Sequence, residues 1–276
     1  MTKLNKVMLA SRRALGNLKD AVLAKKARTW QAKESFPTEA KQFASVPRHI
    51  VVFPDGNRRW AKEQGLDTLE GHKAGYENLL RFREWCQARG VEGLTAFGFS
   101  TENWNRTERE VSYLMKLLES GLVTHFKRYI NEAELQEQGV RVRIIGQKAR
   151  LPQSLQKVIA EVEEGTKDNT KFFLNLGISY GGRWDIVQAA QRILKDGVAP
   201  DQVTEDVFAS YLSTAGLPEP DLVIRAGGEH RFSNFVLWQA AYAELFFVPK
   251  YWPAFTEQDL DEVLEEYAKR NRRFGK

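Results

Sequence analysis

Short β-branched or aromatic runs alternate with longer stretches of helical periodicity from residue 49 onward. The short runs predict five strands, at 49–54, 94–100, 141–146, 172–179 and 222–226. The longer stretches predict helices at about 70–89, 107–138, 150–165, 183–196, 204–214, 234–244 and 256–273. Because this alternation is typical of α/β domains, we predict a single domain over residues 47–276, with a central, mainly parallel β-sheet flanked by helices.

The N-terminal extension, residues 1–46, differs from this domain in charge. Residues 1–45 hold ten Lys or Arg and three Asp or Glu, so the rest of the chain carries a net charge of only −2. Apolar residues recur in the extension at helical spacing, which predicts a basic amphipathic helix and peripheral membrane contact through residues 1–30. A helix packed on the body, a solvated arm and an organelle transit peptide are the alternatives. The acidic body argues against nucleic-acid binding.

Cysteine and hydropathy patterns constrain the location. Cys86 is the single cysteine, so no intramolecular disulfide can form and a reducing compartment is expected. The sequence has no apolar run of about 18 residues and no secretory signal pattern. We therefore predict a cytoplasmic protein, with peripheral membrane contact as the variant that the extension suggests.

Polar segments of unusual composition lie at the ends of four of the predicted strands: DGNRR at 55–59, STENWNR at 100–106, YGGR at 180–183 and RAGGEHRFSN at 225–234. Ligands of such sheets bind beyond the carboxyl ends of the strands. Arginine forks pair with phosphate oxygens, and glycines let backbone N–H groups approach anions. A carboxylate beside phosphates is where Mg²⁺ commonly binds. The residues alone thus predict a magnesium-assisted enzyme that acts on diphosphates or polyphosphates.

Simpler interpretations remain open at this point. Asp55 is also compatible with a capping role, and Arg225 and Arg231 with surface ion pairs. The sequence contains neither GxxxxGK[ST] nor GxGxxG, which argues against a nucleotide-polyphosphate enzyme. The large apolar residues of the helices that follow these loops suit an ordinary core and an apolar tunnel equally well.

Five motifs in order carry a family resemblance: DGNRRWA at 55–61, GHKAG at 71–75, FSTENWNR at 99–106, YGGRWDI at 180–186 and DLVIRAGGEHRFSNFVLWQAAYAELFF at 221–247. From about residue 47 to its end, the chain resembles the cis-prenyltransferases, most closely the undecaprenyl diphosphate synthases. The resemblance implies an enzyme that adds isopentenyl diphosphate to an allylic diphosphate and forms Z double bonds. It also implies a homodimer and an apolar tunnel beside the sheet.

The resemblance assigns roles to individual residues. Asp55 is expected to hold Mg²⁺ at the diphosphates with help from Glu244, and Asn57 and Ser100 lie where the family removes a proton. The expected substrate-binding residues are Gly56, Arg58, Arg59, Trp60, His72, Arg106, Arg225, Arg231 and Ser233. Residues 273–275 resemble a C-terminal element that reaches a partner subunit's site in some members.

Several positions depart from the pattern of the undecaprenyl enzymes. Arg58 stands where they usually have glycine, Thr68 where arginine is common, and Ala226 where threonine is common. We hypothesise that Arg58 replaces the phosphate contact missing at Thr68. Gly98 occupies a tunnel position where a bulky residue shortens the product in some relatives, so it favours a medium or long chain.

The resemblance leaves two alternatives to a long-chain synthase that supplies a glycan lipid carrier. One is a short-chain synthase that adds one or a few units, which the departures at Arg58 and Thr68 keep open. The other is a non-catalytic accessory subunit of the same fold. Such subunits typically lose the aspartate loop, whereas Asp55 and Arg59 are present here.

Overall fold

The computed structural model describes residues 41–127 and 139–270. Its six strands form one sheet in the order β3-β4-β2-β1-β5-β6, and every neighbouring pair is parallel. The strands are β1 (His49–Phe53), β2 (Gly93–Ser100), β3 (Val140–Ile145), β4 (Phe172–Tyr180), β5 (Leu222–Arg225) and β6 (Glu244–Phe247). The predicted α/β class and all five predicted strands are confirmed.

Seven α-helices of the described residues flank the sheet: α1 (Asn57–Glu63), α2 (Thr68–Ala88), α3 (Glu108–His125), α4 (Gln153–Thr166), α5 (Gly182–Lys195), α6 (Glu205–Ser210) and α7 (Glu257–Lys269). Helix α3 covers the start of the predicted helix 107–138, and residues 128–138 lie outside the described ranges. Of the predicted helix 204–214, only α6 is helical.

The predicted helix at 234–244 is wrong. Ser233, Asn234 and Val236 have φ angles of 45°, 64° and 41°, which a right-handed helix does not allow. The segment instead forms a series of turns that ends at β6. β6 and α1 lie outside the predicted set: the predicted helix 234–244 ends where β6 begins, and the seven residues of α1 are too few to show a clear period.

Both faces of the sheet are covered, as expected for parallel strands. All residues of β1 and β5 are buried. On one face the core includes Ile50, Val52, Leu94, Phe82, Leu155 and Leu260, contributed by strands and by α2, α4 and α7. On the other face a smaller cluster contains Val51, Phe53, Val223, Tyr180 and Phe235.

The strand order places a binding crevice at β1. This strand lies between β2 and β5, so β2, β3 and β4 lie on one side of it and β5 and β6, which come later in the chain, on the other. Phe53 at the end of β1 is in register with Arg225 at the end of β5. The loops that follow β1, β2 and β5 therefore meet at one edge of the sheet, where ligands of such folds bind.

Residue contacts divide the chain into two units, Met1–Ala40 and Lys41–Lys276. Phe43 and Val46 pack against the core, which explains why the second unit starts before the predicted boundary at 46/47. The extension and its predicted amphipathic helix lie outside the described residues, so they stay predictions. Within the described ranges, no helix has the length and apolar character needed to cross a membrane.

His49 is a buried histidine at the start of β1, with 1% of its surface exposed. Its Nδ1 lies 2.8 Å from the carbonyl oxygen of Pro218, which can only accept, so Nδ1 donates. Nε2 accepts from the Thr95 hydroxyl at 2.8 Å, and the oxygen of that hydroxyl accepts from the Asn175 amide. Burial lowers the pKa of His49 to about 4. The folded protein therefore holds this ring neutral.

We predict that His49 makes the fold acid-sensitive. The unfolded chain binds a proton at the ordinary histidine pKa and the folded chain only near pH 4, so stability falls as the pH drops between these values. The loss attributable to this ring is about 3 kcal/mol. Urea denaturation at pH 7 and pH 4 measures it. His49→Gln should show a correspondingly smaller pH dependence, and equal dependence in both proteins would contradict the prediction.

Candidate active site

A cavity of about 1160 Å³ opens at the carboxyl ends of β1, β2 and β5. Its mouth is polar and holds most of the residues singled out from the sequence. Its inner wall is apolar and includes Leu79, Leu114, Leu117, Leu118 and Leu176. These leucines come from α2, α3 and β4, so the cavity extends beside the sheet between the sheet and two helices. It therefore offers a charged mouth and an apolar interior.

Arg225 organises the mouth of the cavity. Arg225 is the last residue of β5, and its side chain is only 4% exposed. Nη2 donates to the Asp55 carboxylate at 2.9 Å, and Nη1 donates to the Ser233 hydroxyl at 2.9 Å and to the carbonyl of Arg231. The guanidinium also stacks over the Phe53 ring at 5.1 Å. One buried cation thus joins the loop after β1 to the loop after β5.

Asp55 also lies beside a second guanidinium, that of Arg59. The Arg59 Nη2 is 3.5 Å from Asp55 Oδ1, and its Nη1 is 3.1 Å from Glu229. Glu229 pairs with Arg231 at 2.5 Å as well. The side chains of Arg59 and Arg231 are 42% and 61% exposed. The cluster therefore holds three guanidiniums and two carboxylates, and two of its cations can turn toward an anion in the cavity.

Glu110 gathers a second group of basic side chains on the cavity wall. This carboxylate, in the first turn of α3, accepts from His72 and from Arg106 at 3.0 Å each, and Arg58 lies 4.0 Å away. Glu110 was not among the predicted site residues. Its spacing of four from Arg106 on a helical pattern was the available signal.

The imidazole of His72 is buried within this group. Burial lowers its pKa, and the charges of Arg106 and Arg58 lower it further, while Glu110 acts in the opposite direction. A neutral His72 donates from Nε2 to Glu110. The ring therefore adds a polar contact here without adding a third positive charge.

Asn57 and Ser100 both line the cavity. The Asn57 amide donates to the carbonyl of Pro54 at 3.2 Å, whereas its buried Oδ1 has no hydrogen-bond partner among the described residues. Ser100 ends β2, and its hydroxyl oxygen accepts from the backbone N–H of Asn103 at 3.2 Å. The Asn57 oxygen is therefore a buried acceptor without a partner in the described part of the chain, packed so closely against Gly75 that a Cβ atom there would lie 2.3 Å from it.

Asn234 connects the other motifs to this site. Its carbonyl accepts from Gly182 at 2.6 Å, and its side-chain oxygen accepts from the Arg183 N–H at 2.9 Å. Its amide donates to Glu102 at 3.0 Å. The side chain thus joins the loop after β2 to the start of α5. Asn234 has a positive φ of 64°, a backbone conformation that the sequence pattern does not indicate.

Two predicted residues do not come to the cavity. Trp60 is absent from its lining, because successive residues of α1 point in different directions and Arg58, Arg59 and Lys62 take the cavity face. Glu244 is the first residue of β6 and so lies at the amino-terminal end of the parallel strands, whereas Asp55 follows the carboxyl end of β1. Glu244 pairs with Arg270 at 2.6 Å. Within one chain, Asp55 and Glu244 therefore do not form a common metal site.

The side chains available as metal ligands at the cavity mouth determine which kind of metal ion could bind there. No group of three or more His, Cys, Asp or Glu side chains within residues 41–127 and 139–270 is placed to hold a metal by itself. Asp55 supplies one partly exposed carboxylate among arginines. This arrangement fits a Mg²⁺ ion that takes its remaining ligands from diphosphate oxygens and water.

Gly56 shapes the turn that presents Asp55. Its φ is 93°, and a Cβ atom there would lie 2.6 Å from the Tyr251 ring. Tyr251 in turn packs its ring against the Arg59 guanidinium, 5.2 Å from the centroid. The turn therefore needs glycine for its backbone conformation and for this close approach.

We predict that Gly56→Ala destabilises the protein by about 1–3 kcal/mol more than Gly65→Ala. Both glycines have positive φ, but a Cβ atom at Gly65 meets nothing within 4 Å, so the difference isolates the Tyr251 clash. Urea denaturation of the two variants measures it. Equal losses of stability would show that Tyr251 moves away without cost.

Comparison with known proteins agrees with this geometry. A family model described as putative undecaprenyl diphosphate synthase matches residues 53–275. The chain is 46% identical over 237 residues to the farnesyl-diphosphate-specific ditrans,polycis-undecaprenyl-diphosphate synthase of Pseudomonas putida, spanning 84% of this chain and 92% of that relative. It is 45% identical over 235 residues to an isoprenyl transferase of Neisseria meningitidis, spanning 85% and 92%.

Two solved structures share the fold. Lavandulyl diphosphate synthase from Lavandula x intermedia, in complex with dimethylallyl diphosphate, superposes with a TM-score of 0.78 at 37% identity, covering 84% of this chain and 99% of that one. A probable undecaprenyl diphosphate synthase from Campylobacter jejuni gives a TM-score of 0.68 at 31% identity, covering 84% and 100%. The chain belongs to the undecaprenyl diphosphate synthase family and is a cis-prenyltransferase.

Proposed function

We propose that this cis-prenyltransferase condenses isopentenyl diphosphate onto an allylic primer such as farnesyl diphosphate and releases a long Z-polyprenyl diphosphate. The product would serve as a lipid carrier for glycan assembly. The observation that carries the proposal is the pairing of an arginine-rich mouth with an apolar interior in one cavity of about 1160 Å³. This volume exceeds the range of about 300–1,000 Å³ that is usual for small-molecule pockets.

The two diphosphates are assigned to two sets of residues, and Arg59 of the Asp55 cluster joins the set around Glu110. Arg59, Arg106 and His72, with the backbone of Gly56, face the allylic diphosphate in this proposal. Arg225, Arg231 and Ser233 hold isopentenyl diphosphate. Bidentate guanidinium contacts would orient both groups, so that the carbons that join lie close together before reaction. Arg58 serves the allylic side as the hypothesised substitute for a contact at Thr68, supported by their shared place on the cavity wall.

Asp55 is proposed as the residue that holds Mg²⁺ at the diphosphates. Held there, Mg²⁺ would supply positive charge that stabilises the leaving diphosphate as the allylic C–O bond breaks. Arg59 and Arg225 hold the Asp55 carboxylate in position and offer further positive charge to the diphosphate oxygens. Removal of a proton completes the new double bond, and we assign it to the neighbourhood of Asn57 and Ser100.

The predicted homodimer, the membrane contact of residues 1–30 and the reach of residues 273–275 into a partner site remain proposals. Glu244 keeps its proposed role as a metal-assisting acid only if another subunit supplies it, because it lies away from Asp55 in its own chain.

A short-chain synthase is the second candidate. The similarity to lavandulyl diphosphate synthase, at a TM-score of 0.78, favours it. Product length distinguishes the two candidates, because a long-chain synthase gives a ladder of products and a short-chain enzyme gives one.

We predict that Asp55→Asn lowers kcat/KM by at least about a hundredfold, because it removes the carboxylate charge and keeps the side-chain size. The assay contains labelled isopentenyl diphosphate, farnesyl or geranyl diphosphate and Mg²⁺, and the extracted products are sized by chromatography. Asp168→Asn, an exposed carboxylate outside the cavity, is the matched control and should retain activity. Wild-type activity in Asp55→Asn would contradict the assigned role.

Gly98 lines the cavity, and a Cβ atom there would meet only the Gly177 carbonyl at 3.4 Å and Ile178 at 3.8 Å. We predict that Gly98→Phe shortens the product by filling this space, whereas Gly98→Ala leaves the length unchanged. The same chromatographic assay measures both. An unchanged ladder in the phenylalanine variant would place the growing chain elsewhere.

A further inference from the structure

A second large groove runs along the outer edge of the sheet, with β3 as its floor. Its volume is about 820 Å³, and we call it the β3 groove. The charged residues of its lining are Arg141, Arg143, Lys148, Glu163, Glu164, Lys167 and Arg192. None of its lining residues lines the active-site cavity. The β3 groove is therefore a separate site.

The lysines and glutamates of the β3 groove neutralise one another. Lys148 contacts both carboxylate oxygens of Glu163 at 2.7 Å. Lys167 pairs with Glu164 at 2.5 Å. These four side chains carry no net charge, so the character of the groove depends on its arginines.

The three arginines form no ion pair with a carboxylate in the part of the chain that the structure describes. Arg143 donates to the carbonyl of Ala215 at 2.9 Å, and Arg192 donates to the carbonyl of Tyr211 at 3.3 Å. These contacts hold two guanidiniums over the same 211–215 segment without cancelling their charge. The β3 groove therefore carries an uncompensated charge of about three.

Two of these charges repel one another. Arg141 and Arg143 are two residues apart on β3, and their side chains leave the same face of the strand because Val140, Val142 and Ile144 pack into the core on the other. Burial lowers the pKa of Arg143, and the charge of Arg141 lowers it further, against the opposing effect of Glu163. A bound anion would relieve this repulsion.

The backbone of β3 is not free to pair with another strand. The outward N–H of Val142 donates to Thr166 at 3.0 Å, and that of Ile144 donates to Glu163 at 2.8 Å. An incoming peptide would find these donors occupied. Recognition in the β3 groove thus falls to the arginine side chains, whose planar forks match phosphate oxygens.

We propose that the β3 groove binds a phosphate or diphosphate group at a site distinct from the catalytic cavity. The ligand is either a soluble phosphate ester or the headgroup of an anionic lipid, since both present the same oxygens. The inference is independent of the reaction proposed above, because it uses no residue of the active-site cavity.

Titration calorimetry of the full chain with inorganic diphosphate, without divalent metal, tests the proposal. The wild type should show two classes of site. Arg141→Gln/Arg143→Gln should weaken the groove class at least about tenfold and leave the other unchanged. Arg231→Gln should affect only the cavity class. Arg192→Gln, whose side chain has a single backbone contact, repeats the groove test without altering β3.

Arg48→Gln/Arg109→Gln is the matched control, because it removes the same charge from two exposed arginines outside the β3 groove. It should leave both classes intact. An isotherm unchanged in all groove variants would overturn the proposal, and so would equal weakening by the control. Thermal melts verify that each variant is folded.

Vesicle co-sedimentation separates the two sources of phosphate. Vesicles contain phosphatidylcholine alone or with phosphatidylglycerol. Weaker binding of Arg141→Gln/Arg143→Gln than of the control to the anionic vesicles would assign a lipid headgroup to the β3 groove. Equal binding of the two variants, with diphosphate binding lost only in the groove variant, would assign a soluble ligand.

Discussion

The buried guanidinium of Arg225 is the interaction on which the active site depends. It holds Asp55 after β1 and Ser233 after β5, although neither loop has regular structure of its own at that point. Removing one partner of a buried ion pair commonly costs about 3–5 kcal/mol, because the other charge is left without compensation. The two loops are therefore kept in one arrangement by a single side chain, and the more exposed Arg59 and Arg231 remain free to change partners when an anion arrives.

The apolar interior of the cavity follows from the same architecture. A parallel sheet must be covered on both faces, and α2 and α3 cover one face while leaving space beside Leu176. A charged mouth next to this space suits a ligand with a diphosphate head and a hydrocarbon tail. Asn234, in the loop after β5, also bonds to the loop after β2 and to the start of α5. The mouth of the cavity is therefore held by contacts on both sides of β1.

Strand–helix alternation was sufficient to predict the sheet and five of its six strands, because each of the five is a short β-branched or aromatic run. It did not predict β6, a strand of four residues, and it gave a helix where Asn234 and Val236 have positive φ. The spacing of apolar residues does not indicate which residues have positive φ. Within the site, Asp55, Arg59 and Arg225 were predicted from their places after strands. Glu110 was missed because a carboxylate in a first helical turn is ordinarily a solvent-exposed one.

The sequence by itself determined the fold class, the order of the strands along the chain and the chemical character of the loops that follow them. These properties depend on local period and residue type. Only the tertiary structure decided which of the loops meet, since strand order in a sheet depends on packing between distant segments. It brought Asp55 to Arg225 across 170 residues and turned Trp60 away from the cavity. It also placed Glu244 at the amino-terminal end of the strands, away from Asp55. The tertiary structure also brought Arg141, Arg143 and Arg192 together with no ion pair to a carboxylate among the described residues, which no pattern in the sequence shows.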